Sequence, residues 1–586
     1  MWKPMLPTLV DEAPDDENWV YEVKYDGFRC GLEWQHDNIR LWSRNGHDLT
    51  NQFPEIINWC QEHQSIIQKH LPLFFDGEIV ILNTSIQSNF TSLQQRGRLK
   101  TEQKILQASE TRPVTYMIFD LIMLKGKETV HQTLQKRREL LESLIDSLNR
   151  QPFSIQQRLN VVVQYNDLKE ALDNVFLHQG EGIVAKQMNS KYIYGKRTMK
   201  WQKIKNWRQI NGVITGWNFK NDYFDLAFYR DNKFELLGKI KHGFSKQEKE
   251  TLTTFIQKNG VKLNDETWKI EPSVCIELNC LDAYEQELRE PVFKKFRFDL
   301  SPEECNKENL MLGLAQIPEE IELSKPDKLL FNNVTKRDFL IYLRKVAPYM
   351  LPRLRNKRLT MIRYPDGINE HSFYQKHLPS YAPNFIKTVP GDDNEEDIIC
   401  NDLKSLLWFG SHAAIEYHVP FQTIDSELPD EMVFDLDPPS LEQFPLAIFA
   451  AHLIREMCES KDFKVFIKTS GKTGLQLHIP LYEYEMPFDE TRIFMEAVAN
   501  VLVSKYPKHF TIERLKKNRG NKLYIDYVQH ARGKTIVAPY SPRATKEATV
   551  ATPLYWSEVN DDLNPRNYTI FNVPERLETL GCPLLY

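Results

Sequence analysis

Apolar and polar residues alternate in short runs through the first third of the chain. Val20 to Lys24 has the period of two that a strand requires. Leu73 to Leu82 is an apolar stretch interrupted by Asp76-Gly77-Glu78, and Tyr116 to Leu124 reads as another apolar strand. Asp167 to His178 carries apolar residues at 168, 171, 172, 175 and 176, a helical spacing that stops at Gly180. Residues 18–205 therefore mix strands with helices. From Asn211 the texture changes to short strands separated by turn residues: Gly212 to Trp217, Phe224 to Tyr229, Phe234 to Ile240, Trp268 to Glu277 and Phe293 to Phe298. These predict a small β-barrel whose aromatics, such as Trp217 and Phe228, belong to its core. Residues 300–326 are polar and acidic and read as a linker. A second mixed α/β region begins near Ser324. There Thr335 and Asp338 predict a capping box opening a helix from Lys336 to Val346. Thr491 to Lys505, with Ile493, Phe494, Ala497, Val498 and Val501, predicts a helix packed into a core.

A chain of 586 residues is too long for one core. It has no apolar run long enough to span a membrane and no secretory signal. Its eight cysteines include no CxxC pair, which argues against a zinc ribbon and for reduced, cytoplasmic thiols. The net charge of −5 leaves any nucleic-acid binding to local patches.

The richest chemistry starts at Lys24-Tyr25-Asp26-Gly27-Phe28-Arg29. A lysine amine can attack the α-phosphate of a nucleotide and hold AMP as a phosphoramidate, but at its usual pKa of about 10.4 it needs cationic neighbours or desolvation to do so. Five segments follow in order: Ser43-Arg44-Asn45-Gly46, Asp76-Gly77-Glu78, Phe119-Asp120, Glu181-Gly182-Ile183-Val184-Ala185-Lys186 and Trp201-Gln202-Lys203-Ile204-Lys205. Arg44, Lys203 and Lys205 are candidates to neutralise a triphosphate, and on a strand the two lysines share a face. Glu181 is the candidate metal carboxylate, and Phe119 the candidate adenine platform. Any one of these segments alone is weak; the ordered set is not.

The set resembles the motifs of ATP-dependent DNA ligases, followed by that family's oligonucleotide-binding (OB-fold) barrel. The resemblance implies ATP as cofactor, Lys24 as adenylated nucleophile, Arg29 on ribose and phosphates, Glu78 on ribose, Glu181 on the metal, and Lys203 and Lys205 on phosphates. Arg289-Glu290-Pro291-Val292-Phe293 and Arg297-Phe298-Asp299 resemble the last motif, which orients pyrophosphate. The family's usual basic residue after that aspartate is here Leu300.

The C-terminal half carries Phe434-Asp435-Leu436-Asp437-Pro438-Pro439. On a strand its two aspartates project from one face about 7 Å apart, suited to two divalent ions. Asp526, in Leu523-Tyr524-Ile525-Asp526-Tyr527, is the natural third carboxylate. Arg519, expected in a strand-loop, and Arg543 are placed to meet a triphosphate. Ser470-Gly471-Lys472-Thr473-Gly474 ends like a P-loop, but the motif needs glycine where Phe466 stands, so it is rejected.

Together with Pro326-Asp327-Lys328, Thr335-Lys336, Arg363-Tyr364-Pro365-Asp366-Gly367, Ile415-Glu416-Tyr417-His418 and Lys468-Thr469-Ser470-Gly471, these residues resemble the archaeo-eukaryotic primase–polymerase fold of bacterial end-joining ligase D. The resemblance implies metal binding by Asp435, Asp437 and Asp526, and nucleotide binding by Ser470, Arg519 and Arg543. It also implies a DNA 5′-phosphate on Lys328 and Lys336. The family commonly reads KTSG-x-x-GLH; here the histidine position is Gln476, and His478, two residues on, is favoured over Gln476 for nucleotide contact.

The expected architecture is thus a multidomain α/β plus β-barrel chain. It has a ligase adenylation (nucleotidyltransferase) domain at 1–207, an OB-fold barrel at 208–305, a linker at 306–322 and an α+β primase-like polymerase domain at 323–586. The resemblance implies manganese or magnesium, dNTP or NTP substrates, and DNA ends, nicks and gaps as partners. It further implies the Ku homodimer as protein partner, a monomeric chain and no membrane association. Larger relatives carry a histidine-rich phosphoesterase domain; no such histidine cluster is evident here. An RNA-capping enzyme or RNA ligase shares the lysine motif but does not need the polymerase half. A DNA-binding scaffold needs a basic surface but neither nucleophile nor metal carboxylates.

Overall fold

The strand Trp19–Lys24 lies fourth in a five-stranded sheet ordered Leu6–Leu9, Arg197–Lys205, Gly182–Gln187, Trp19–Lys24, Gln164–Tyr165. A second sheet runs Ile39–Ser43, Phe28–Trp34, Leu73–Val80, Thr115–Leu124, Lys127–Glu128, with Leu159–Val161 alongside Thr115–Leu124. Tyr21, Val23, Ile183 and Ala185 of the first sheet share one core with Val80 and Met117 of the second. In this computed structural model residues 2–148, 153–284, 287–391 and 395–584 are described. The chain divides into two units, Met1–Ile317 and Pro318–Tyr586.

Asp76-Gly77-Glu78 does not interrupt its strand. Leu73–Val80 runs through it, with Asp76, Gly77 and Glu78 paired to Gly31, Cys30 and Arg29. The polar break in the pattern is a polar face, since Asp76 and Glu78 project from the same side. The helix Leu168–Leu177 forms where the spacing predicts it; the Asp167 side chain accepts from the Glu170 backbone N–H and caps it.

One ion pair is fully inside this unit. Arg137 donates to both oxygens of Asp120 at 2.7 Å, and neither residue exceeds 2% exposure. Removing one partner strands the other charge. Arg137→Ala is expected to destabilise the first unit by about 3–5 kcal/mol, read from denaturant unfolding; a loss below about 1 kcal/mol would mean that the pair is replaceable.

The barrel strands are Lys233–Ile240, Tyr223–Arg230, Arg208–Asn218 and Thr267–Cys280, in that order, with Val261–Lys262 and Val292–Phe296 both on Thr267–Cys280. A bridge from His242 to Val292 curls the sheet back on itself. Trp217 and Phe228 pack against its core. Within the expected linker the helix Lys307–Ala315 forms, capped by Asn306, with Leu310 buried in the barrel core. The polar and acidic surroundings hide this nine-residue helix, although Leu310 and Ala315 are buried and Leu314 packs against the barrel core.

The second unit centres on a six-stranded sheet ordered Phe510–Thr511, Leu523–Asp526, Glu431–Asp437, Leu475–Pro480, Phe466–Thr469, Pro553–Leu554. The helices Phe444–Glu459 and Phe488–Lys505 cover it through Ala447, Ala451, Met495, Val498 and Leu502. Ile493 and Val501 are not core: they are 68% and 51% exposed, on the stripe opposite the buried one. Apolar side chains at helical spacing do not by themselves say which stripe is inside. The capping box at Thr335 and Asp338 is present. Its helix, however, does not end at Val346 but runs Lys336–Leu354 through Pro348 and Pro352, because most of its circumference is buried. Among the described residues no helix is long and apolar enough to cross a membrane.

Candidate active sites

Lys24 ends its strand opposite Gly182, and Gly182 on its other side pairs with Lys205, so the three stand on one rung of three strands. Gly182 permits this: its φ is +152°, and an added Cβ would lie 2.1 Å from the Ile204 carbonyl oxygen. Lys24 Nζ lies 2.5 Å from Glu181 Oε1. The other Glu181 oxygen is buried without a hydrogen-bond partner. Lys205 is ion-paired with Glu290 and lies 4.7 Å over the Trp207 ring. Burial, reinforced by Lys24 and Lys205, pulls the Lys203 ammonium below its usual range. The sheet thus gathers Lys24, Glu181, Lys203 and Lys205 as the sequence predicts.

The second sheet supplies the rest. Arg29 donates to both Asp76 oxygens at 2.7 Å and stacks 4.2 Å over Phe119. The Phe119 ring also faces Lys186 Nζ at 5.1 Å, so it meets two cations here. Glu78 lies opposite Arg29; burial pushes it up to about 7, against the pull of Arg29 and Lys24. Arg44 is exposed, and its backbone N–H donates to the Arg29 carbonyl; its side chain is not drawn into the cluster. Arg297 is held by Asp299 at 2.7 Å and by Glu277 at 3.2 Å.

Sequence reasoning missed the residues that hold these in place. Asp76 fixes Arg29, and the buried Glu22–Lys186 pair, at 2.6 Å, lies beside Phe119. Glu22 shares the Lys24 face by alternation, a signal that was available in the pattern.

In the second unit one row of side chains crosses four strands. Lys468 pairs in register with Gln476, Gln476 with Asp435, and Asp435 with Asp526. Lys468 donates to the Gln476 side-chain oxygen, whose Nε2 donates to Asp435 at 3.2 Å. Burial pushes Asp435 up to about 6; Gln476 opposes this, while Asp526 and Asp437 add to it. Burial, with Arg543 next, takes Lys468 down to about 7. Asp437 meets Arg519 at 3.2 Å, and Asp526 accepts from the Gln529 backbone N–H at 2.9 Å. Arg519 closes the short helix Lys516–Arg519 instead of the expected strand-loop and lies 3.8 Å over Tyr524. Arg543 donates to the Ser470 carbonyl at 2.6 Å. Residues 470–474 turn between two strands, so no P-loop forms.

His478 is not at the aspartates. Its Nδ1 lies 2.9 Å from Glu431, one step along the sheet, and Gln476 is the residue on Asp435. Lys336 is buried and donates to the Ser324 carbonyl at 2.7 Å, while Lys328 pairs with Asp366 at 2.8 Å. A further organiser was not anticipated. Buried Glu416 meets His418 at 3.1 Å, Arg543 at 3.2 Å and Lys472 at 3.4 Å. Burial raises its pKa, but these partners outweigh it and hold the carboxyl well below the usual range. Glu416 and His418 alternate in sequence, so their shared face was readable.

Among the described residues no three His, Cys, Asp or Glu side chains converge tightly enough to form a metal cluster. Asp437 and Asp526 are instead turned to Arg519 and Gln529. Both sites nevertheless fit a cation. One presents an orphaned buried carboxylate oxygen on Glu181, the other a carboxylate, Asp435, raised first by burial and then by the charges of Asp526 and Asp437, which a cation would relieve.

A lysine nucleotidyltransferase site followed by a barrel, then a carboxylate row on a second sheet, defines a chain with two nucleotidyl-transfer enzymes. Residues 4–205 match the ATP dependent DNA ligase domain, and residues 335–584 match the LigD primase-polymerase domain. The bifunctional non-homologous end joining protein LigD of Bacillus subtilis is 37% identical over 99% of this chain and 95% of its own length. The multifunctional LigD of Pseudomonas aeruginosa is 25% identical over 99% of this chain and 71% of its own. Among solved structures, the polymerase domain of Mycobacterium tuberculosis ligase D in complex with DNA is 28% identical. It covers 46% of this chain and 97% of that one, with a TM-score of 0.43. This chain belongs to the family of bifunctional end-joining LigD proteins, which pair an ATP-dependent DNA ligase with a primase–polymerase.

Proposed function

We propose that the two sites act in sequence on one broken DNA duplex, the polymerase filling a gap and the ligase sealing it. In the ligase, the Lys24 amine exchanges Glu181 for ATP and attacks the α-phosphorus. The bond to the β-phosphate breaks, pyrophosphate leaves, and AMP stays on Lys24. Lys203 and Lys205, with Arg44, meet the phosphates, and Arg29, Glu78 and Phe119 surround the nucleoside. Glu181 would hold a magnesium or manganese ion, which would neutralise developing charge. In the polymerase, Asp435, Asp437 and Asp526 would hold the cations, and Ser470, Arg519 and Arg543 would bind the triphosphate of a dNTP or NTP. Lys328 and Lys336 take a 5′-phosphate, favoured by the helix N-terminus that Lys336 opens. Domain limits of 1–207 and 323–586 suit this division, the barrel that starts at 208 reaching past 305 through the helix Lys307–Ala315.

The observation that carries the reading is the rung of Lys24, Gly182 and Lys205 beside Glu181. A duplex with a one-nucleotide gap, given labelled ATP, nucleotides and either metal, should be extended first and sealed second. Sealing without insertion would sink the coupling. The chain acts as a monomer at the nucleoid, with a Ku homodimer holding the ends. Ku should therefore speed end joining without changing nick sealing, and light scattering should give the mass of one chain.

A further inference from the structure

The hairpin Asp282–Tyr284, Glu287–Arg289 of the barrel delivers two charged residues to the nucleophile's loop. Arg289 is ion-paired with Asp26, two residues past Lys24, and lies 4.3 Å over the Phe90 ring. Glu290 follows in a left-handed backbone conformation, φ 49°, uncommon for a residue with a side chain. It lies between the clamped Arg289 and Pro291. From that position its carboxylate is ion-paired with Lys205, a buried side chain. Burial raises the Glu290 carboxyl, but Lys205, then Lys24 and Lys203, outweigh it and hold it low. Beside it opens a cavity of about 700 Å³ lined by Lys205, Trp207, Lys239, Lys241 and His242.

We propose that Glu290 is an internal competitor for phosphate at Lys205. Its carboxylate takes the place that a phosphate oxygen of a triphosphate or of pyrophosphate takes, and the anion must displace it to enter. This rests on the reading of Lys203 and Lys205 as phosphate contacts. The chemistry follows from charge: a carboxylate and a phosphate oxygen make the same charge-assisted bond to an ammonium, and cannot both be near it without repulsion. Glu290 thereby sets how tightly pyrophosphate is kept after Lys24 is adenylated, and so how readily the first step runs backwards. It is a specificity-determining residue that forms no bond to the reacting atoms.

The test is a charge series at one position, Glu290→Gln and Glu290→Lys, each in the full chain. Binding of inorganic pyrophosphate with magnesium is measured by calorimetry in a Lys24→Ala background, where no adenylation can intervene. Affinity should rise about fivefold for Gln, the size that a half-exposed ion pair allows, and further for Lys. In the chain with Lys24 intact, pyrophosphate should discharge the adenylate at correspondingly lower concentration. Affinity that falls in both variants would overturn the proposal and make Glu290 a support for Lys205; affinity that moves in neither would overturn it too. Labelling of Lys24 by ATP is read separately, so a failure of the ligase assignment is distinguishable from a failure of this one.

Discussion

Lys24→Ala should abolish nick sealing, lowering it by a factor on the order of 10⁴ or more, because the proposed reaction passes through a bond to that side chain. No neighbour can replace it. Lys205 is tied to Glu290, and Lys203 projects from another strand of the sheet. After incubation with α-labelled ATP the wild-type chain should carry label that is discharged as a nick closes; the variant should carry none. The substitution leaves Glu181 without its counter-ion, so a small loss of stability is expected. The unfolding midpoint of the first unit separates that from chemistry. Primer extension should be unchanged, since the polymerase row lies in the other unit. Label appearing on the variant, at Lys203 or elsewhere, would remove Lys24 from its assigned role.

Asp435→Asn is expected to lower nucleotide addition on the order of 10³-fold, the several kcal/mol that a metal carboxylate supplies. The exchange keeps shape and an acceptor for Gln476, so the four-strand row survives while its central charge goes. The chain should not lose stability, because burial and two neighbouring aspartates already disfavour that charge. Lys24 labelling should proceed as in wild type. A variant that extends primers at more than about a tenth of the wild-type rate would place the metal carboxylates elsewhere.

Much of this was legible in the sequence because strand periodicity carries both elements and faces. Lys203 and Lys205, or Asp435 and Asp437, share a face by alternation alone, and the fold places them so. What was not legible depends on contacts between segments far apart in sequence. Arg29 is fixed by Asp76, Arg543 by Glu416, and Lys205 by Glu290. Nothing local signals those pairings. Which of Gln476 and His478 meets Asp435 was not legible for a related reason: alternation puts both on one face, and only the register with the neighbouring strand tells them apart. Ile493 and Val501 misled because periodicity gives the stripe but not the side that faces inward.

The two rungs described here have a common consequence for how such a protein tolerates change. Lys24 and Lys205 are separated by Gly182, hence by two strand spacings, about 10 Å of backbone. Lys468, Gln476, Asp435 and Asp526 are spaced in the same way. Main-chain hydrogen bonds set those distances, whichever apolar residues fill the core beneath. Apolar substitutions in that core can therefore accumulate without moving these side chains. A single inserted or deleted residue within any of these strands would turn the row to the opposite face. The lineage is free to drift in composition but not in count.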